Sequence, residues 1–303
     1  MPVLETSKLT KKFGKFSALE AVDLQVNEGE IYGFIGPNGA GKSTTIRILL
    51  GMLRATSGKA EIFGMDVWKE AVDIHKRLAY VPGDVNLWPN LSGGEAIDLL
   101  LKMRGSLNRQ KRNEMVERFG LDPKKKCRTY SKGNRQKVAL IAAFASDAEL
   151  FILDEPTSGL DPLMERIFQD CVWELKEQGK SVLLSSHILS EVERLCDTVG
   201  IIREGRLIES GSLKDMRHLT RTQLLVETKK PLIQLSLISG IHNVEQKEDA
   251  TVFQVDSDRL DQVMIHLSGF GITRLESTPP ALEDLFMRHY EHANDAKVAG
   301  GAG

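Results

Sequence analysis

Residues 36–43 read Gly-Pro-Asn-Gly-Ala-Gly-Lys-Ser, and this stretch decides the fold class. It fits the pattern G-x-x-x-x-G-K-[ST], in which successive backbone N–H groups turn inward around a phosphate. The apolar run IYGFI at 31–35 precedes it, and the helical pattern TTIRILLGML at 44–53 follows it. A buried strand, a glycine-rich turn and a helix N-terminus in this order predict a phosphate-binding loop in an α/β fold.

The loop also predicts which groups meet a bound nucleotide. Lys42 is expected to reach the β and γ phosphates, and the Ser43 hydroxyl is a candidate magnesium ligand. The nucleotide-binding residues predicted in this segment are Gly36, Pro37, Asn38, Gly39, Ala40, Gly41, Lys42, Ser43 and Thr44.

Two further apolar runs end in polar residues that suit the same chemistry. The run LFILD at 150–154 ends in Asp154 and is followed by Glu155. At the C-terminal edge of a strand, Asp154 is a candidate magnesium ligand through water, and Glu155 is a candidate general base. The run SVLL at 181–184 leads to Ser185-Ser186-His187, so His187 is expected at a neighbouring strand end, near the γ-phosphate.

Residues 156–162, PTSGLDP, follow the two carboxylates directly. Together with Asp154 and Glu155 they closely resemble the joined Walker B and D-loop of ATP-binding-cassette (ABC) ATPases. With the phosphate-binding loop and Ser185-Ser186-His187, the resemblance covers residues 1 to about 215. It implies a P-loop NTPase (RecA-like) core with an N-terminal antiparallel β subdomain and a helical subdomain at about 87–148. It also implies ATP and Mg²⁺ as cofactors, and ATP hydrolysis with Glu155, His187 and Lys42 in catalytic roles.

Two stretches compete for the family's signature motif, which closes the ATP site of a second copy. Residues 91–95, LSGGE, look nearer to the usual LSGGQ but lie far upstream of Asp154. Residues 130–136, YSKGNRQ, open the helical run QKVALIAAFA directly before the strand that ends at Asp154, as the family requires. We therefore assign residues 130–136 as the signature motif. The family resemblance then implies that Ser131 and the backbone N–H of Gly133 donate to the γ-phosphate held by the partner copy.

Other family landmarks match less closely. Phe13 corresponds to the aromatic residue that stacks on adenine, with Phe16 as its rival, although either could belong to the core. Gly83 stands where the family has a glutamine that ligates magnesium, and a glycine has no side chain to do so. The neighbouring Asp84 is the alternative ligand.

The pattern of the chain changes after Ser212. Strands are predicted at 222–228, 241–247, 251–255 and 271–277, with helices near 231–238, at 258–268 and at 281–291. The order β-α-β-β-α-β predicts a small α+β (ferredoxin-like) domain at 216–293 after an ATPase domain at 1–215. Residues 294–303 are small and polar and are expected to form a flexible tail.

Composition limits the kinds of partner. Among 303 residues, 40 are basic and 42 acidic, a formal net charge of −2, so no overall positive field attracts nucleic acid. Three cysteines without a paired spacing favour a reducing compartment. The longest fully apolar stretch, 138–145, is far shorter than the ~20 residues that cross a bilayer. We expect no nucleic-acid partner and no direct membrane span.

The stretch from Pro82 through LWPNLSGGEAIDLL and the later segments SLKD and ALEDLFMRHY look like ATP-binding subunits of ABC-2 type exporters of drugs, antibiotics or lipids. This resemblance implies a separate integral membrane permease, a second copy of the chain, and a cytoplasmic position, peripheral on the cytoplasmic face of the cell membrane through the permease. One alternative is a soluble ABC ATPase acting on ribosomes or DNA, but the sequence has no long heptad coiled coil between the Walker motifs and no second cassette. A third hypothesis is a P-loop kinase or GTPase. The sequence lacks the N-K-x-D motif with which GTPases recognise guanine, which argues against a GTPase.

Overall fold

The computed structural model describes residues 1–105, 107–218, 221–232, 235, 238–247, 250–256 and 259–278. The chain divides into two units, Met1–Gly211 and Ser212–Gly303. The described strands that begin in the first unit are β1 (Pro2–Phe13), β2 (Phe16–Asn27), β3 (Ile31–Ile35), β4 (Ser57–Ile62), β5 (Met65–Asp66), β6 (Leu78–Val81), β7 (Leu150–Asp154), β8 (Ser181–Ser186), β9 (Thr198–Arg203) and β10 (Arg206–Ser212). Its helices are α1 (Lys42–Leu49), α2 (Ala71–Arg77), α3 (Gly93–Met103), α4 (Arg109–Arg118), α5 (Lys132–Phe144), α6 (Pro162–Glu177) and α7 (Leu189–Leu195).

The central sheet of the first unit has the strand order β10-β9-β3-β8-β7-β6. Strands β3, β7 and β8 are buried over their whole length, as expected for continuous apolar runs in a sheet covered on both faces. Parallel pairing aligns Ile35 with Ser186 and Asp154 with Ser185. The loops that follow these three strands therefore leave the sheet at one edge.

A second sheet, of order β2-β1-β4-β5, is antiparallel and comes mostly from the N-terminal part of the chain. Its alternating apolar residues share a core with the central sheet and α1, in which Leu4, Val26, Phe34 and Ile46 are fully buried. In the hairpin of β1 and β2 the two strands remain paired up to Phe13 and Phe16. The predicted N-terminal antiparallel subdomain is thus present.

The middle of the first unit is helical, as predicted, with α3, α4 and α5 each beginning at a capping side chain. Ser92 and Glu95 form a capping box at α3, Asn108 caps α4, and Ser131 caps α5 by accepting from the Asn134 N–H. The LSGGE run is therefore the start of α3, whereas YSKGNRQ leads into the helix before β7. Among the described residues, no helix is long and apolar enough to cross a membrane.

The second unit contains α8 (Leu213–His218), β11 (Arg221–Thr228), β12 (Ile241–Lys247), β13 (Ala250–Asp256), α9 (Leu260–Ser268) and β14 (Ile272–Thr278). Its four strands form an antiparallel sheet of order β12-β13-β11-β14. Leu224, Phe253 and Leu267 belong to a core of its own. Much of the helix predicted near 231–238, the whole helix at 281–291 and the tail at 294–303 lie outside the described residues.

Candidate active site

The loop between β3 and α1 is a glycine-rich turn, in which the Ala40 N–H donates to the Pro37 carbonyl oxygen at 3.1 Å. Gly39 and Gly41 have φ of 82° and 116°, in the left-handed region that favours glycine. A Cβ at Gly36 would approach the Ile202 carbonyl oxygen to 2.3 Å, so this position also requires glycine. Helix α1 begins at Lys42 with no side-chain cap, and its first N–H groups therefore remain available to an anion.

The Lys42 ammonium lies inside this loop. Its Nζ donates to the carbonyl oxygens of Gly36 at 2.5 Å and Pro37 at 3.3 Å, and it lies 4.0 Å from Glu155 Oε1. Burial lowers the pKa of Lys42, while the nearby carboxylates of Glu155 and Asp154 counteract this shift. A cation is thus held where the loop would surround a phosphate.

Asp154 ends β7 and is almost fully buried, at 8% exposure. Burial raises the pKa of its carboxyl group and the negative charge of Glu155 adds to this shift, whereas Lys42 and the Ser43 hydroxyl oppose it. A buried carboxylate beside a hydroxyl offers hard oxygen ligands of the kind that Mg²⁺ prefers. In the part of the chain that the structure describes, no group of three or more His, Cys, Asp or Glu side chains is arranged to hold a metal by itself.

Glu155 has an unusual backbone conformation for a non-glycine residue, with φ of 46°. Its N–H donates to the Ser185 carbonyl oxygen at 2.8 Å, and its own carbonyl accepts from the Ser158 N–H at 3.1 Å. Such a conformation costs of order 1–3 kcal/mol and persists only where the surroundings enforce it. It presents Oε1 to His187 Nδ1 at 3.3 Å, so Lys42, Glu155 and His187 meet at one carboxylate oxygen.

The start of α5 packs on the loop that follows Glu155. Gly133 lies so close to Gly159 that a Cβ would come within 2.4 Å of its carbonyl oxygen. The Lys132 Nζ donates to Ser158 Oγ at 2.6 Å, and Ser131 is exposed at the helix N-terminus. The described hydrogen bonds do not join Ser131 or Gly133 to residues 36–43 of the same chain.

Two residues near the site were missed by sequence reasoning. Gln136 is 1% exposed, and its amide donates to the carbonyl oxygens of Pro156 at 3.0 Å and Pro82 at 3.4 Å. Glu191 is 6% exposed and accepts from Ser186 Oγ at 2.7 Å. Gln136 stands between Arg135 and Lys137, and Glu191 is followed closely by Glu193 and Arg194, so no local pattern indicated that either side chain is buried.

The remaining predicted site residues lie at the tip of the β1–β2 hairpin and in the loop after β6. Phe13 and Phe16 are 50% and 67% exposed, which excludes the reading that either belongs to the core. Lys11 Nζ lies 4.9 Å from the centre of the Phe13 ring. A Cβ at Gly83 would lie 3.1 Å from the Asp154 carbonyl oxygen, so this loop passes close to the end of β7, with Asp84 exposed beside it.

Comparison with known proteins decides the family. A family model described as ABC transporter matches residues 19–158, and one described as ATP-binding protein DrrA1-3-like, C-terminal domain, matches 211–290. The bacitracin transport ATP-binding protein BcrA of Bacillus licheniformis is 33% identical over 94% of this chain and 96% of its own length. The chain belongs to the ABC transporter family. The reading as a P-loop kinase or GTPase is thereby excluded.

Solved structures agree with this assignment. An ATP-binding subunit of an ABC transporter superposes with a TM-score of 0.67 at 33% identity, covering 72% of this chain and 92% of that one. A dimeric ATP-binding cassette in a post-hydrolysis state with ADP and Pi superposes with a TM-score of 0.63 at 26% identity, covering 69% and 98%. The predictions of fold class, family and ATPase activity are confirmed: this ABC protein is a nucleotide-binding ATPase subunit of a transporter.

Proposed function

We propose that two copies of this ABC ATPase close head to tail over two ATP molecules. Each site takes residues 36–44, Asp154, Glu155 and His187 from one copy and the α5 N-terminus, with Ser131 and Gly133, from the other. One observation carries the proposal. Lys42 Nζ and His187 Nδ1 both lie near Glu155 Oε1, beside the N-terminus of α1, which has no side-chain cap. The dimeric state of a related cassette supports the arrangement.

The geometry suggests a division of labour during hydrolysis. Glu155 polarises the attacking water as general base, and His187 contacts the γ-phosphate beside it. Lys42 exchanges its bonds to the Gly36 and Pro37 carbonyl oxygens for the β and γ phosphates, which the N–H groups of the loop also stabilise. Ser131 and the Gly133 N–H complete the site from the partner copy.

Magnesium fits the oxygen ligands at this edge of the sheet. The Ser43 hydroxyl and, through water, the Asp154 carboxylate would hold the ion, and the ion would neutralise charge on the phosphates. Gly83 contributes no ligand, and the exposed Asp84 is the alternative outer ligand on the same loop. Phe13, or Phe16 in its place, would stack on the adenine ring, because both aromatic rings are exposed at the hairpin end.

The substitution Glu155→Gln tests the proposal directly. It retains the shape of the side chain and removes the base, so we expect ATP to bind while turnover falls at least about a hundredfold. Size-exclusion chromatography with ATP and Mg²⁺ should then show a trapped dimer. Glu177→Gln, an exposed position on α6, is the control and should behave as wild type. Wild-type turnover in Glu155→Gln would overturn the assignment of the base.

We further propose that an integral membrane permease docks on an apolar groove of the first unit. Met52, Trp88 and Met103 line this cavity of about 470 Å³ and are 61%, 46% and 72% exposed. Arg104 also lines it, and its Nη1 is buried without a hydrogen-bond partner among the described residues. An exposed apolar patch with one unsatisfied cationic donor suits a partner segment that is apolar and offers a carboxylate or carbonyl oxygen.

Docking on a permease would place the chain in the cytoplasm, on the cytoplasmic face of the cell membrane. The name of the Bacillus licheniformis relative supports a transporter of antibiotics, and we propose export of drugs, antibiotics or lipids as the function of the complex. Affinity purification from detergent-solubilised membranes of the native host should recover a polytopic protein at equal stoichiometry. Recovery of ribosomes or DNA instead would favour an ABC ATPase that acts on them.

A groove substitution separates docking from hydrolysis. Met103→Glu places a charge in the proposed interface, so we expect loss of the permease from the purified complex while the isolated chain retains its ATPase rate. Ile265→Glu is the control, since Ile265 is equally exposed, at 74%, but belongs to the second unit. Equal recovery of the permease with both variants would contradict this docking site.

A further inference from the structure

Glu191 on α7 is a buried carboxylate for which the proposed mechanism has no role. It is 6% exposed, and its Oε2 accepts from the Ser186 hydroxyl at 2.7 Å. Its Oε1 is buried and has no hydrogen-bond partner among the described residues. A buried carboxylate with an unused oxygen is unfavourable by itself, so a compensating role is expected.

On one side, Glu191 holds the turn that carries His187. Ser186 Oγ donates to the carboxylate and accepts from the Ile188 N–H at 3.0 Å, which ties the residues on both sides of His187 together. The His187 ring is itself 53% exposed. Its position opposite Glu155 therefore depends mainly on the backbone of this turn.

On the other side, Glu191 faces the loop that carries Glu155. Burial raises the pKa of the Glu191 carboxyl, and the hydroxyl groups of Ser186 and Thr157 near it counteract this shift. Thr157 is 6% exposed and lies in the turn closed by the Ser158 N–H on the Glu155 carbonyl oxygen. The carboxylate thus lies between the two loops whose tips meet where Glu155 Oε1 approaches His187 Nδ1, at 3.3 Å.

We propose that Glu191 is a positioning residue that holds the His187 turn in register with the Glu155 loop. Its bonded oxygen anchors Ser186, and its second oxygen is available to the Thr157 hydroxyl when the site closes. The inference rests on the proposed function, because it concerns the alignment of Glu155 and His187 for hydrolysis. The described contacts of Glu191 itself are with the loops after β8 and β7 and not with residues 36–44, so Glu191 should affect the rate of the chemical step and not the binding of ATP.

The test compares Glu191→Ala with Glu191→Gln in steady-state ATPase assays. The alanine variant loses the anchor of Ser186, and we expect kcat to fall about tenfold while KM for ATP changes less than about twofold. The glutamine variant retains an acceptor for Ser186 and should lose less than about threefold. Glu177→Gln, at an exposed position on α6, is the control and should match wild type.

A double substitution separates positioning from a general structural effect. If Glu191 acts through His187, Glu191→Ala should lower the rate less than about twofold in a His187→Ala background. An equal loss in both backgrounds, or an unchanged kcat in Glu191→Ala alone, would overturn the proposal. Should Glu191→Ala fail to fold, Ser186→Ala removes the same hydrogen bond and should reproduce the loss of kcat. Failure of the proposed function itself would appear separately, as unimpaired turnover in Glu155→Gln.

Discussion

Asp154 carries its carboxyl group in a setting that opposes ionisation. The residue is 8% exposed, and burial is the largest cause of its raised pKa. When the folded state has the higher pKa, it binds protons more readily than the unfolded chain. The contribution of this group to stability therefore falls as pH rises through the interval between the two pKa values. The buried carboxylate that is proposed to bind magnesium therefore lowers the stability of the folded chain when no ion is bound.

Asp154→Asn should accordingly stabilise the nucleotide-free chain while abolishing hydrolysis. Each kcal/mol of burial cost removed corresponds to about 2–4 °C in the melting temperature of a domain as large as the first unit. The gain should be largest near pH 7 and shrink in acid, where the wild-type carboxyl is already neutral. Differential scanning calorimetry without Mg²⁺ or nucleotide measures it. A variant that melts below wild type at pH 7 would show that the carboxylate is not a net cost.

Lys42, Glu155 and His187 were proposed from the sequence, whereas Gln136 was not. The difference lies in whether the neighbours of each side chain are close in sequence or are brought together only by folding. Lys42 was predictable because the glycine turn and the helix start around it are local features of the chain. Glu155 and His187 were predictable because both follow apolar runs that end at the same edge of the sheet. Gln136 bonds the carbonyl oxygen of Pro82, which is distant in sequence, and such a partner follows only from packing in three dimensions.

At the scale of the element, α5 connects two loops of the site through one buried side chain. Gln136 lies within the helix, fully buried, and its amide reaches the carbonyl oxygens of Pro82 and Pro156. Pro82 precedes Gly83, where the family has a glutamine side chain. The link between this loop and the loop after Glu155 therefore runs through α5.

Gln136→Glu should be far more damaging than its small change in shape suggests. A carboxylate would face two carbonyl oxygens with no donor, and we expect a loss of about 2–4 kcal/mol of unfolding free energy. Gln136→Met retains the volume without the charge and should lose less. Urea denaturation of both variants gives the comparison. Equal losses would indicate that packing, and not the two hydrogen bonds, explains the burial of this residue.

The N-termini of α3 and α5 have similar capping residues, and comparing them tests which of the two stretches, residues 91–95 or 130–136, is the signature motif. Ser92 caps α3 and Ser131 caps α5, so alanine at either position should cost about 1 kcal/mol of stability. Only Ser131→Ala should also lower ATPase turnover, by about a hundredfold, because only α5 is proposed to face the partner's γ-phosphate. Thermal melting and steady-state rates of the pair measure both effects. A comparable loss of turnover in Ser92→Ala would reopen the choice between the two stretches.

At the scale of the whole molecule, the predicted residues of one ATP site fall within the first unit, yet one chain does not bring them all together. Lys42, Glu155 and His187 converge, whereas Gly133 packs against Gly159 in its own chain's loop after Glu155. An α5 N-terminus that is exposed at Ser131 is well suited to meet a nucleotide held by another molecule. A symmetric dimer then contains two equivalent sites, each built from both copies.

Mixing two inactive variants tests this symmetry. His187→Ala damages the half of a site that binds the nucleotide, and Ser131→Ala damages the half contributed by the partner. In a mixed dimer both defects fall in one site, and the other site is intact. With random pairing, half of the dimers are mixed and each has one working site of two, so turnover should recover to about one quarter of wild type. Recovery should appear only after the chains exchange partners, and cross-linked homodimers mixed afterwards serve as the control. A mixture no more active than the average of its two components would mean that each chain completes its own site.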